Sequence, residues 1–129
     1  MTKLSVNVNK VATLRNTRPN LNIPDLQRCA RICLDAGADG ITIHPRPDER
    51  HIRGADVPVL ARLVAQYPGR EFNIEGNPFH GRYMEHCRET RPTQATLVPD
   101  EQGQSTSDHG WDLRRDAERV RPIISELKS

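Results

Sequence analysis

Aromatic residues make up only 4% of this 129-residue chain and hydrophobic residues 35%, with a mean hydropathy of −0.72. That supply of core suits at most one domain, although it is not so low as to describe a disordered chain. No apolar run approaches the roughly 18 residues of a membrane-spanning helix. The opening MTKLSVNVNK also lacks the apolar stretch of a secretory signal. Neither sign of charge dominates: 19 Lys and Arg face 17 Asp and Glu, for a net charge of +2. The basic residues are interspersed with acidic ones and form no stripe, which disfavours a nucleic-acid surface. Three cysteines, Cys29, Cys33 and Cys87, are too few and odd in number for a disulfide framework and read as small core fillers. With no G-x-G-x-x-G and no Walker pattern, neither a dinucleotide nor a nucleoside triphosphate has support, and no cofactor is expected. A cytoplasmic protein is the reading that follows.

What is present is an alternation of short β-like runs with longer helical ones. Strands are expected near residues 4–8, 40–43, 72–74 and 95–98. A helix from Pro24 to Ala36, with Pro24 in its first turn, places Leu26, Ala30 and Cys33 on one face and ends at Gly37. Asp56 is positioned to cap a second helix carrying Val57, Leu60, Ala61 and Val64. A third spans about Phe79 to Thr90, burying Phe79, Tyr83 and Cys87, with His80 and His86 on its surface. In a fourth, Leu113, Ala117, Val120, Ile124 and Leu127 recur at helical spacing, with a kink expected at Pro122. Four such units imply parallel strands joined by right-handed crossovers. The pattern fits either a small open α/β sheet or half of an eight-fold barrel, which typically needs about 250 residues.

Both architectures bind ligands at the C-terminal ends of the strands. There the chain is polar: Asn7, Asn9 and Lys10 after the first strand, and His44, Arg46, Arg50 and His51 after the second. Glu75 follows the third, and Asp100 and a polar loop follow the fourth. Guanidinium forks match phosphate oxygens, and imidazoles move protons near neutral pH. Glu75, read as lying just past a strand, becomes a usable base if burial raises its pKa. Read without function, the same residues are a solvated charged loop and a structural ion pair. Two histidines and a carboxylate also raise a metal site and hence metal-dependent hydrolysis, but no H-E-x-x-H or H-x-H spacing supports it. A role in the loop, and not in catalysis, suits His109 in Ser107-Asp108-His109-Gly110.

Two segments carry a resemblance: Val6-Asn7-Val8-Asn9-Lys10-Val11-Ala12-Thr13-Leu14-Arg15-Asn16 and Ala36-Gly37-Ala38-Asp39-Gly40-Ile41-Thr42-Ile43-His44. So do Asp48-Glu49-Arg50-His51-Ile52, Phe72-Asn73-Ile74-Glu75-Gly76 and Leu97-Val98-Pro99-Asp100. In order and spacing these resemble the pyridoxine 5′-phosphate synthase family over essentially the whole chain. The resemblance implies the N-terminal half of a (β/α)8 TIM barrel, a single partial domain over residues 1–129. It also implies a transferase of vitamin B6 biosynthesis that condenses 1-deoxy-D-xylulose 5-phosphate with 3-amino-2-oxopropyl phosphate, releasing phosphate and water. By the same resemblance His44 and Glu75 fall on the two proton acceptors. Asn7 and Arg18 fall on positions that hold the amino-oxopropyl phosphate, and Arg46, His51 and Thr106 on those that contact deoxyxylulose phosphate. A homo-oligomer is implied for the complete enzyme.

Asn9 and Lys10 stand where the commoner family pattern has Asp-His, so they are carried over only as a variant form of the substrate site. Lysine holds an anion, but it does not copy histidine's proton transfer at pH 7 without a lowered pKa. The family's proton-donor histidine and glycine-rich phosphate positions belong to the second half of the barrel. The expectation is therefore a partial chain, inactive alone. The competing expectation is a non-catalytic half-barrel that serves as a binding or assembly module.

Overall fold

The computed structural model describes residues 1–129. Four parallel strands lie side by side in chain order: β1 (Ser5–Asn7), β2 (Gly40–Ile43), β3 (Glu71–Gly76) and β4 (Gln94–Leu97). Five helices connect or follow them: α1 (Asn9–Asn16), α2 (Leu26–Asp35), α3 (Asp56–Ala65), α4 (Tyr83–Thr90) and α5 (Leu113–Lys128). The molecule is an α/β fold built on one four-stranded parallel sheet. None of its helices is long and apolar enough to cross a membrane.

Period-two alternation divides the sheet into two unlike faces. Ile41, Ile43, Phe72 and Ile74 join Ala30, Leu34, Leu60, Leu63 and Val64 of the helices in one buried core, with Ala95 and Leu97 packed against it. The other face is polar, and its side chains pair across all four strands. Ser5 and Thr42 share a hydrogen bond through their hydroxyls (2.7 Å), Asn73 Nδ2 donates to Thr42 Oγ1 (3.2 Å), and Thr96 Oγ1 donates to Asn73 Oδ1 (2.9 Å). A parallel sheet covered by helices on both sides reads as continuous apolar runs. This one is apolar on the helical side only, and its open face carries a hydrogen-bonded ladder that leads toward the strand C-termini.

Several local expectations are revised. Helix α1, not expected from the sequence, follows β1 directly. Pro24 lies outside α2, whose N-cap is Asp25; the Asp25 side chain accepts from Arg28 N at 3.0 Å. Gly37 follows the C-cap with φ of 102°, a conformation glycine adopts without a Cβ penalty. Asp56 is the first residue of α3 and not its cap; its carboxylate is taken instead by Arg15 and by Arg53 N. Helix α4 begins at Tyr83, later than expected, because the chain makes a turn through Gly81 (φ 58°) and leaves Phe79 exposed. His80 therefore sits in that turn, and His86, expected on the surface, is buried at 4% exposure on the inward side of α4. In α5 the helix continues through Pro122, and Val120, Ile123 and Leu127 face the core while Leu113 and Ile124 are exposed.

Candidate active site at the strand C-termini

The loop from His44 to Gly54 is drawn in over the sheet end by polar contacts. At its start Asn9 Oδ1 accepts from His44 N (2.9 Å), while Asn7 Oδ1 accepts from Asn9 N (2.8 Å), so the ends of β1 and β2 are tied together. At its far side Arg15 reaches from α1 to Asp56 with both terminal nitrogens (2.7 and 2.9 Å), and Asn16 Nδ2 donates to the carbonyls of Arg50 and His51. The result is that His44, Arg46 and His51 are all buried although they belong to a charged loop.

His44 and His51 lie with ring centroids 6.0 Å apart. His51 Nδ1 accepts from Ile52 N at 2.9 Å, which leaves the proton of the neutral ring on Nε2 as a donor. Burial is the main reason its pKa is pushed down to about 4, with His44 and Arg46 adding to the effect. Burial also lowers the pKa of His44, although Asp100 opposes this. Both rings are neutral at physiological pH, which suits a base at His44 and a hydrogen-bond donor at His51.

Arg46 is held in a socket: Nη1 donates to Asp100 Oδ2 (3.3 Å) and Nη2 to the Gln104 carbonyl (2.7 Å). Asp100 also accepts from Ser107 Oγ, and its Oδ2 lies 4.0 Å from His44 Nε2. Asp100 Oδ1 and Arg46 Nε are buried without partners in the protein. Both residues, with His44, Asn77, His80 and Tyr83, line a cavity of about 300 Å³. Buried polar atoms left unpaired are uncommon in folded proteins, and here both belong to residues that line the same cavity.

Glu75 belongs to β3 itself, paired with Thr96, because the strand runs further than the apolar triplet suggested. It stands on the Asn73 face, half-buried, and burial followed by the neighbouring Asp100 raises its pKa. A carboxylate with that environment accepts protons more readily than an exposed one.

The structure thus brings together His44, Arg46 and His51, with Glu75 near the same Asp100 carboxylate and Asn7 and Asn9 bracing the strand ends. Three other residues are not joined to them by side-chain contacts. Lys10 is exposed on the first turn of α1. Arg18 is exposed and lines a separate cavity with Arg15, Asn22 and Arg53. Thr106 is exposed, its carbonyl accepting from Gln104 Nε2 at 2.8 Å. His44, His51 and Glu75 do not form a metal-ligand set, and no three His, Cys, Asp or Glu side chains elsewhere do. Sequence reasoning placed Asp100 on the rim without a role, although it is the carboxylate next to Arg46, His44 and Glu75. Its signal was its place just past a strand. Its partner Arg46 lies 54 residues away in the chain, and only the fold reveals the pairing.

Comparison with known proteins places the chain among relatives. The family model described as pyridoxal phosphate biosynthesis protein PdxJ matches residues 4–129. A protein of Albidiferax ferrireducens named pyridoxine 5′-phosphate synthase is 57% identical over 129 residues, covering 97% of this chain and 51% of its own length. Proteins of the same name from Xanthomonas campestris pv. campestris (54% identity, 99% of this chain, 52% of theirs) and Xylella fastidiosa (55%, 98% and 50%) are similar to it as well. The chain spans about half the length of the curated relatives it matches.

Proposed function

This chain belongs to the PdxJ family of pyridoxal phosphate biosynthesis proteins, and from that premise we propose that it supplies the N-terminal four βα units of a (β/α)8 barrel acting as a pyridoxine 5′-phosphate synthase in vitamin B6 biosynthesis. The observation that carries the reading is the cluster at the strand ends: His44 and the socketed Arg46 guanidinium line one cavity with Asp100, the buried His51 ring lies beside His44, and the half-buried Glu75, its pKa raised, stands next to Asp100. The polar ladder on the open sheet face supports the barrel, since a barrel interior is where strand side chains meet in layers away from the helices.

In the proposed reaction, 3-amino-2-oxopropyl phosphate and 1-deoxy-D-xylulose 5-phosphate are joined by addition of an amine to a ketone, dehydration and ring closure, with one inorganic phosphate and water released. Each step needs protons moved at a fixed place. His44 and Glu75 take up those protons. Arg46 and the His51 Nε2–H receive phosphate oxygens of deoxyxylulose phosphate, with Thr106 contributing from the loop after β4. Asn7 and Arg18, with Asn9 and Lys10, serve the amino-oxopropyl phosphate. Turnover requires four further βα units, because β1 and β4 are the edges of an unclosed sheet. The enzyme is a cytoplasmic homo-oligomer in its complete form and uses no cofactor.

The proposal separates binding from chemistry. In the complete enzyme, Glu75→Gln keeps affinity for deoxyxylulose phosphate within a few-fold and lowers kcat by a factor of about 10² or more. Retention of wild-type kcat by Glu75→Gln would remove Glu75 from the mechanism.

A further inference from the structure

Resting on the reading of His44 and Glu75 as proton acceptors, we propose that Asp100 is the positioning residue of this rim, a single buried carboxylate that fixes the Arg46 guanidinium and turns the His44 ring toward the cavity. Three observations carry it. Asp100 is only 6% exposed, and an ionised carboxylate is costly to bury unless charge and hydrogen bonds compensate it. It meets Arg46 Nη1 at 3.3 Å and the Ser107 hydroxyl through the same Oδ2 that faces His44 Nε2 at 4.0 Å. Its Oδ1 remains unpaired, so its contacts to Arg46, Ser107 and His44 all run through Oδ2.

With Oδ2 facing Nε2, the neutral His44 ring carries its proton on Nε2 and presents the Nδ1 lone pair as the base. When Nδ1 takes a proton from substrate, the imidazolium that forms lies beside a fixed negative charge, the arrangement by which a buried aspartate supports a histidine base. The groups facing His44 are Asp100 and Asp48, which favour its protonation, and Arg46, Arg50 and the His51 ring, which oppose it. Glu75 is faced by Asp100 and by the Tyr83 hydroxyl. The same carboxylate therefore makes both acceptors more basic, and losing it removes support from both while leaving Arg46 less well paired.

The test is an NMR titration of histidine-labelled protein, with the His44 resonance identified by its loss in His44→Gln. In Asp100→Asn the His44 midpoint moves to lower pH by roughly one pH unit, whereas Asp100→Glu retains it. A folded Asp100→Asn protein whose His44 midpoint is unchanged would overturn the proposal. If Asp100→Asn does not fold, Ser107→Ala decides the matter. That variant frees Oδ2 of its hydroxyl donor, so the His44 midpoint rises if Asp100 acts on the ring and stays fixed if it does not. The titration is read without substrate, so a failed synthase assay would count against the proposed function alone, and an unmoved His44 against this inference alone.

Discussion

Gly76→Ala is the perturbation whose cost is most directly set by the geometry. Gly76 ends β3 and borders the cavity, and the Tyr83 ring lies close against it. A Cβ on residue 76 would stand 2.9 Å from the ring's Cε2 and Cγ and closer still to Cδ2. Those atoms include the base of the ring, so no rotation of a distant group relieves the overlap. Tyr83 is 2% exposed, and its hydroxyl donates to the Ile74 carbonyl at 3.2 Å. Forcing the ring aside costs about 1–3 kcal/mol for overpacking, and losing the hydroxyl's partner adds about 1 kcal/mol. The sum is about 2–4 kcal/mol, which for a chain of this size lowers Tm by roughly 8–15 °C. The assay is thermal and urea unfolding of Gly76→Ala, Tyr83→Leu and the double variant. Leucine removes the overlapping ring, so the alanine costs far less in its presence, with a coupling of at least about 1 kcal/mol. A Gly76→Ala protein melting within about 2 °C of the wild type, or effects that simply add, would refute the reasoning.

Two further outcomes follow from the same structure. Because the His51 pKa is about 4 in the fold against an ordinary 6.5, the unfolded chain binds more protons between those values. His51 therefore contributes stability that is fully present above pH 6.5 and lost as pH falls toward 4; His51→Gln flattens that part of the stability profile, and an unchanged slope would contradict the assignment. Arg15→Ala leaves the carboxylate of Asp56, whose side chain is only 18% exposed, without its bidentate partner and unties α1 from the loop. The expected cost is about 2–4 kcal/mol in urea unfolding, and a loss below about 0.5 kcal/mol would show the pair to be incidental.

The strands, the parallel order and four of the five helices were legible in the sequence because hydrophobic spacing encodes them. Helix α1 was not: its apolar contact is short, Val11 and Ala12 packing on the core while Leu14 is exposed, and the next buried position is Arg15, held by an ion pair. The inward face of α5 was only half visible, since Leu113 and Ile124 fit the spacing but face solvent while Ile123 packs on the core. His44, Arg46, His51 and Glu75 were legible from their place after or at the end of strands. The hydrogen-bonded ladder and the linkage of Asp100 to Arg46 were not, because they join residues from different strands and loops whose separation only the fold abolishes. Polar residues in a strand read as solvent-facing, and here they pair with one another.

The central claim is that the strand-end cluster recognises a phosphorylated keto sugar. Isothermal calorimetry with 1-deoxy-D-xylulose 5-phosphate tests it most directly, using the wild type, Arg46→Ala and His51→Ala in the complete enzyme. Arg46→Ala removes a charge-assisted donor and should weaken binding by at least about tenfold, with a smaller loss for His51→Ala. Equal affinity in all three proteins would contradict the placement of the phosphate at this rim.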